Sequence, residues 1–210
     1  MKKKVTIVDY GLGNIRSAEQ SLKKVVNENN LDAEVVITNI AKDIYLSSHI
    51  ILPGQGAFKT CMNGLKNIEG MIDALSENVL VTKKPFLGIC VGMQLLATKS
   101  NENGIHYGLG WIDGEIIKIP QTKLKLPHMG WNEVLARKEN TLINYKEEKT
   151  YYFVHSYYFE CKSTKNEIAS TNYGLNFTSI VSKENIYGVQ FHPEKSSSQG
   201  LRLIRNFLKL

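Results

Sequence analysis

Apolar residues fall into short runs at the start of the chain, separated by stretches with helical spacing. Residues 5–8 form the first run, and Ile15, Ala18, Leu22, Val25 and Val26 then recur as one buried face of a helix would require. Residues 34–37 and 49–52 read as further strands. Met71, Ile72, Leu75, Val79 and Leu80 mark a helix that ends before Pro85, and residues 86–89 form the next strand. Such alternation predicts a mainly parallel sheet with helices on both faces. Beyond Trp111 the pattern changes. Short apolar segments at 112–119, 133–135, 151–155, 167–170 and 179–181 predict antiparallel additions and hairpins. Residues 186–190 predict a strand, and residues 201–210 a closing helix. No linker, repeat or low-complexity block interrupts the chain, so residues 1–210 read as one α/β domain.

Composition narrows the function classes. A chain of 210 residues is long enough to bury a substantial core, hiding roughly 70% of its unfolded surface. The net charge of +6 is mostly lysine scattered among asparagine and isoleucine, with no nucleic-acid-binding motif beside it. A diffuse solvated face explains it, and such a face can also assist docking to an acidic protein surface. The three cysteines, Cys61, Cys90 and Cys161, are widely spaced, and no C-x-x-C pair occurs, so neither a zinc site nor a disulfide framework is suggested. No metal or cofactor is expected. The basic start is followed by an apolar run that ends at Asp9, too short for a signal peptide, and no stretch approaches membrane-spanning length. A reducing, cytoplasmic setting suits such a chain.

Candidate chemistry begins at Cys90. The apolar strand stops there, with Gly88 two residues before and Gly92 two residues after. G-x-C-x-G at a strand-to-helix junction is the cysteine form of the nucleophile elbow. Glycines let the tight turn close, and free N–H groups at the following helix start favour a thiolate. Two further segments fit the same chemistry. Phe191-His192-Pro193-Glu194 follows the strand read at 186–190; His192 can act as base and proton carrier, and Glu194 can orient it. Pro53-Gly54-Gln55-Gly56 ends another strand and can turn backbone N–H groups toward an oxyanion. Singly, these are a packed cysteine, a surface turn and an ordinary Pro-Gly turn; together they describe an acyl-transfer site. The loop Asp9-Tyr10-Gly11-Leu12-Gly13-Asn14 invites a dinucleotide reading. Arg16 stands where the third glycine of that fingerprint belongs, so a tight turn explains it better.

These motifs resemble the class I, triad-type glutamine amidotransferases. More narrowly, the chain is similar to the family of glutaminase subunits of imidazole glycerol phosphate synthases. The narrower likeness rests on residues 9–14, on Pro127-His128-Met129-Gly130-Trp131-Asn132, on residues 152–158, and on the extension of the H-P-E run to Lys195-Ser196. The resemblance covers essentially the whole chain. It implies a three-layer, flavodoxin-like α/β fold and a catalytic triad of Cys90, His192 and Glu194. It places oxyanion donors at Val91 and in the loop around Gly54 and Gly56, and Gln94, Glu102, Ser156 and Tyr157 around glutamine. It also implies a (β/α)₈-barrel cyclase partner that receives the ammonia, with Asn14, Trp131, Tyr152 and Lys195 at the shared interface. Gln55 departs from the family, which usually has valine there; a side-chain amide in the loop is expected to bond locally and alter unstimulated activity. Two other readings stay open: a paralogous glutaminase serving another synthase, for example in sugar amination, and a non-catalytic scaffold of the same fold.

Overall fold

A computed structural model describes residues 2–120, 124–143 and 149–210. Its first half alternates as the apolar spacing requires: β1 (Lys3–Val8), α1 (Ile15–Glu28), β2 (Ala33–Thr38), α2 (Ala41–Ile44), β3 (His49–Gly54), α3 (Phe58–Lys66), α4 (Met71–Ser76) and β4 (Phe86–Cys90). Helix α1 buries Ala18, Leu22, Val25 and Val26, the face marked by the sequence period. After Cys90 come α5 (Val91–Gln94), β5 (Lys99–Ser100), β6 (His106–Tyr107), β7 (Gly114–Lys118) and β8 (His128–Ala136). The chain closes with β9 (Lys149–His155), β10 (Tyr157–Cys161), β11 (Glu167–Asn172), β12 (Asn176–Lys183), β13 (Ile186–Val189) and α6 (Ser197–Leu208).

The strands lie in the order β2-β1-β3-β4-β13-β12-β10-β7-β5-β6, with β11, β8 and β9 branching from β12. From β2 to β13 every pairing is parallel. Strands β3, β4 and β13 are buried along their whole length, as parallel strands covered on both faces must be. Helices α1 and α6 pack together, whereas α4 packs with α2 and α3, and α3 with α5. They form the outer layers of the expected three-layer α/β architecture. No helix among the described residues is long and apolar enough to cross a membrane.

Several elements differ from the sequence reading. The sheet as a whole is mixed, because the additions from β12 to the far edge are antiparallel except for the parallel pairing of β5 with β7. Helix α3 and strand β10 were not anticipated. The segment expected at 133–135 is the end of the nine-residue strand β8, which includes His128, Met129, Gly130, Trp131 and Asn132. The helix read over 71–80 changes pitch after Ser76 into a π-helical turn, Glu77–Val81. The helical pattern after Cys90 amounts to the single turn α5.

Topology decides where the chemistry sits. Because β3, β4 and β13 are parallel neighbours, their carboxyl ends emerge at one edge of the sheet. The register sets Gly54 opposite Cys90, and Val189 opposite Ile89. The loop after β3, Cys90 at the end of β4 and the H-P-E run after β13 are therefore delivered to one place.

Candidate active site

Cys90 is the junction between β4 and α5. Its φ of 55° and ψ of −112° lie where side chains other than glycine are strained. The neighbouring glycines explain how the bend closes. A Cβ on Gly92 would stand 1.8 Å from the Leu52 carbonyl oxygen, and one on Gly88 would stand 2.5 Å from the Gly92 oxygen. Gly54 belongs to the same contact, since its Cβ would lie 2.5 Å from the Gly92 nitrogen. The elbow is wedged against the end of β3 backbone to backbone. With only one helical turn behind it, the macrodipole is small, and the N–H groups of the turn itself are the electrostatic partners of the sulfur.

His192 is buried and its Nδ1 lies 2.8 Å from Glu194 Oε1. The H-P-E run is clamped onto β9. The His192 N–H donates to the Tyr152 carbonyl (2.9 Å), and Ser196 Oγ accepts the Tyr152 N–H (3.0 Å) while donating to the His192 carbonyl (2.6 Å). Phe191 stacks on Tyr151 with ring centres 4.0 Å apart, which fixes the approach of the histidine. Burial disfavours an imidazolium here, but Cys90 and Glu194 outweigh it and push the His192 pKa up to about 10. His192 Nε2 is buried and makes no hydrogen bond of ordinary geometry among the described residues, and Cys90 is the first of the groups that raise its pKa, through a hydrogen-bonding and a charge interaction. This Nε2 is the nitrogen left for a reacting group.

Cys90 and His192 share a cavity of about 360 Å³ with Gln55, Gly56, Val91, Gln94, Glu102, Pro127, Val154, His155, Ser156 and Tyr157. The cavity thus gathers two of the three triad candidates, two of the three oxyanion candidates and all four substrate-binding candidates. Glu194 stands behind His192. Gly54 does not line the space; its smoothness serves the contact with the elbow. Glu102 is no solvated loop acid: its Oε2 accepts the Phe58 N–H at 2.7 Å, satisfying an orphan donor at the start of α3. Its charge, with burial as the larger cause, raises the Tyr157 pKa.

The loop after β3 is held through its carbonyl groups. The Tyr10 hydroxyl donates to the Pro53 carbonyl (2.7 Å), and Cys61 Sγ lies 3.3 Å from the Gln55 carbonyl. The loop of residues 9–14 thereby acts as a brace, with a Cβ on Gly13 3.2 Å from Pro53. The Gln55 side chain makes no hydrogen bond among the described residues, so the local bond expected of its amide is not formed; the main chain makes the contact instead.

Sequence reasoning missed Gln190. This buried amide ends the strand run before Phe191, and its Nε2 lies 3.7 Å from Cys90 Sγ. Its other end accepts from Gln94 Nε2 (3.0 Å), which also donates to the Tyr157 carbonyl (3.1 Å). A polar residue closing an otherwise apolar run was the available signal.

The interface candidates lie outside the cavity. Tyr152 packs edge-on to Trp131 with centroids 6.3 Å apart, and Lys195 Nζ lies 5.9 Å from the Tyr152 ring centre. Trp131 is 54% exposed and Met129 61% exposed, so ordinary core packing does not account for either. Asn14 begins α1 without a side-chain capping bond, and α1 packs on the Pro193–Lys195 turn.

The buried histidines give stability a defined pH window. Burial lowers His49 and His128 to a pKa of about 4 and His155 to about 3. Between those values and 6.5 the unfolded chain binds more protons, so stability falls as pH drops through this range. His192 has the opposite sign: its contribution is complete below 6.5 and is lost as pH rises toward 10. Denaturant midpoints should peak near pH 7. At pH 5 each lowered histidine removes at most about 2 kcal/mol, reduced by solvent screening. A midpoint flat from pH 5 to 7 would contradict this.

Comparisons with known proteins agree with the geometry. The family description "Glutamine amidotransferase class-I" matches residues 7–210. The imidazole glycerol phosphate synthase subunit HisH of Rhodospirillum rubrum is 46% identical over 210 residues, covering 98% of both chains. That of Pelagibacter ubique is 44% identical, covering 98% of this chain and 99% of the relative. HisH 2 of Methanococcus maripaludis is 46% identical, covering 98% of each. A solved glutamine amidotransferase superposes with a TM-score of 0.73 at 17% identity, covering 97% of each chain. Another, from Thermotoga maritima, gives 0.63 at 16% identity, covering 100% of this chain and 84% of that one. At those identities the solved structures speak for the fold, while the family match and the HisH relatives speak for descent. The chain belongs to the class I glutamine amidotransferases, within the group of imidazole glycerol phosphate synthase HisH subunits.

Proposed function

We propose that residues 1–210 form a cytoplasmic glutaminase subunit that hydrolyses glutamine to glutamate and ammonia and passes the ammonia to a cyclase subunit in histidine biosynthesis. The observation that carries this reading is the convergence of Cys90 and the His192–Glu194 pair on one cavity. The Cys90 thiolate attacks the amide carbon of glutamine. The resulting oxyanion is held by the Val91 N–H and by an N–H of the loop at Gly54 and Gly56. Protonated His192 gives its proton to the departing ammonia, leaving a glutamyl thioester. The neutral imidazole then takes a proton from water, whose oxygen attacks the thioester and releases glutamate and the thiolate. Glu194 holds the tautomer and orientation of the imidazole. Ser156, Tyr157 and Glu102 bind the α-amino and carboxylate end of the substrate. Gln94 has both amide hydrogens committed within the protein, so its carbonyl oxygen is the group that meets the substrate.

Ammonia in water is protonated and ceases to be a nucleophile, so a glutaminase of this kind needs a sealed route to its acceptor. A (β/α)₈-barrel cyclase docking on Trp131, Tyr152, Lys195 and Asn14 supplies one. The names of the HisH relatives, subunits of a synthase, support a partner of this kind. The test is glutamate release by the chain alone and with a cognate cyclase and its nucleotide ligand, with Cys90→Ser as control. A partner-dependent rise lost in the control supports the reading. Glutamate release indifferent to that cyclase points to another synthase, and silence under all conditions to a scaffold. Because the Gln55 side chain is exposed and makes no hydrogen bond among the described residues, Gln55→Val should change unstimulated hydrolysis by less than about threefold. A larger change would mean that the side chain acts on the loop.

A further inference from the structure

Polar groups between β8 and the cavity form one unbroken series of hydrogen bonds. Asn132 Nδ2 lies 3.1 Å from His128 Nε2 and donates to the Asn172 carbonyl (2.9 Å), while Asn132 Oδ1 accepts the Glu133 N–H (2.8 Å). Those backbone partners fix which end of the amide points at the imidazole. His128 Nδ1 lies 2.9 Å from His155 Nε2, and His155 Nδ1 lies 2.9 Å from the Tyr157 carbonyl. That carbonyl also accepts from Gln94, which bonds Gln190, which reaches Cys90 Sγ.

Only one arrangement of protons satisfies this series. A carbonyl can only accept, so His155 Nδ1 carries hydrogen. Burial keeps both rings neutral, with one N–H each. His155 Nε2 is therefore bare and His128 Nδ1 must donate to it. His128 Nε2 is then bare in turn, and Asn132 supplies its hydrogen. Packing holds the rings in place. His128 stacks on Tyr173 at 4.0 Å and on Phe153 at 4.9 Å, and His155 meets Phe177 edge-on at 4.9 Å. The alternation of β8 turns His128 and Asn132 inward while Met129 and Trp131 face out. A shift of β8 when something docks on Trp131 must move the first two members of the series.

We propose that Asn132, His128 and His155 are positioning residues: a proton-ordered chain that ties the outward strand β8 to the Tyr157 carbonyl and, through Gln94 and Gln190, to the sulfur of Cys90. Its regulatory part rests on the reading of β8 as the docking face. The chain accounts for histidine and asparagine within residues 127–132, where contact with a partner would need only the outward residues.

Two measurements test it. The first is nitrogen NMR of the isolated chain with labelled histidine. Both His128 and His155 should be Nδ1–H tautomers, and Asn132→Leu should move the His155 Nδ1 resonance although Asn132 does not touch that ring. An Nε2–H tautomer at either ring, or an unmoved His155 signal, overturns the chain. The second uses His128→Phe, which keeps an aromatic ring in the stack and removes both nitrogens. In complex with the cyclase, its stimulated kcat should fall about tenfold, with partner affinity unchanged. Full stimulation of the variant would overturn the coupling. A wild-type chain that no cyclase stimulates would sink the docking reading instead, and the tautomers would still decide the chain.

Discussion

Cys90→Ala is expected to lower partner-stimulated glutamine hydrolysis by on the order of 10⁴-fold or more, the scale seen when a nucleophile is removed from a cooperating triad. Oxyanion donors and substrate contacts would remain, but no thioester could form. The fold should persist, because alanine keeps the Cβ and the strained backbone at φ 55° costs it what it costs cysteine. Cys90→Gly provides the contrast. Glycine enters positive φ without that strain, so this variant should be about 1 kcal/mol more stable than Cys90→Ala and equally inactive. Thermal unfolding and a glutamate assay on the two proteins separate strain from chemistry. Hydrolysis by Cys90→Ala within tenfold of wild type would remove Cys90 from the nucleophile's role.

Gly92→Ala should rank with the most damaging single methyl additions among the described glycines, with Gly200 meeting an equally close backbone oxygen. A Cβ on Gly92 would sit 1.8 Å from the Leu52 carbonyl oxygen, in a strand buried along its whole length. Backbone on both sides leaves nothing flexible to give way. A loss above about 4 kcal/mol is expected, a large share of the total stability of an ordinary domain, so the variant should be recovered unfolded or not at all. Gly110→Ala is the control: its Cβ would meet nothing within 4 Å, and only its φ of 68° penalises it, by roughly 1 kcal/mol. Comparable soluble yields and melting temperatures for the two variants would contradict the wedge between elbow and β3.

The parts of the site that could be read in the sequence are those whose chemistry is local. Gly88, Cys90 and Gly92 lie in one short run because a single bend needs all three, and His192 and Glu194 lie two residues apart because one side chain orients the other. The parallel strands were legible from continuous apolar runs. Helix α3 carried a readable period, with Phe58, Cys61, Met62 and Leu65 buried, but it follows directly on the glycine-rich loop, whose turn chemistry dominates that stretch. Strand β10 is separated from β9 by Ser156 alone, so no turn signal divides them. Gln190, and the role of Glu102 at the start of α3, depend on partners far away in sequence. An amide at a strand end has no local signature that distinguishes a site residue from an edge.

The parallel pairing of β4 with β13 also sets the order of events during synthesis. The two strands lie side by side in the sheet but far apart in the chain, and the connection between them includes every antiparallel addition. Closing so long a loop is a slow, late step in folding. On a growing chain Cys90 emerges about a hundred residues ahead of His192 and waits without that imidazole until β13 and the segment after it have been made. During that interval it is an ordinary thiol. Appearance of an activated one would report that the two halves have joined, so the rate at which a mild alkylating reagent captures Cys90 becomes a clock for the last stage of assembly.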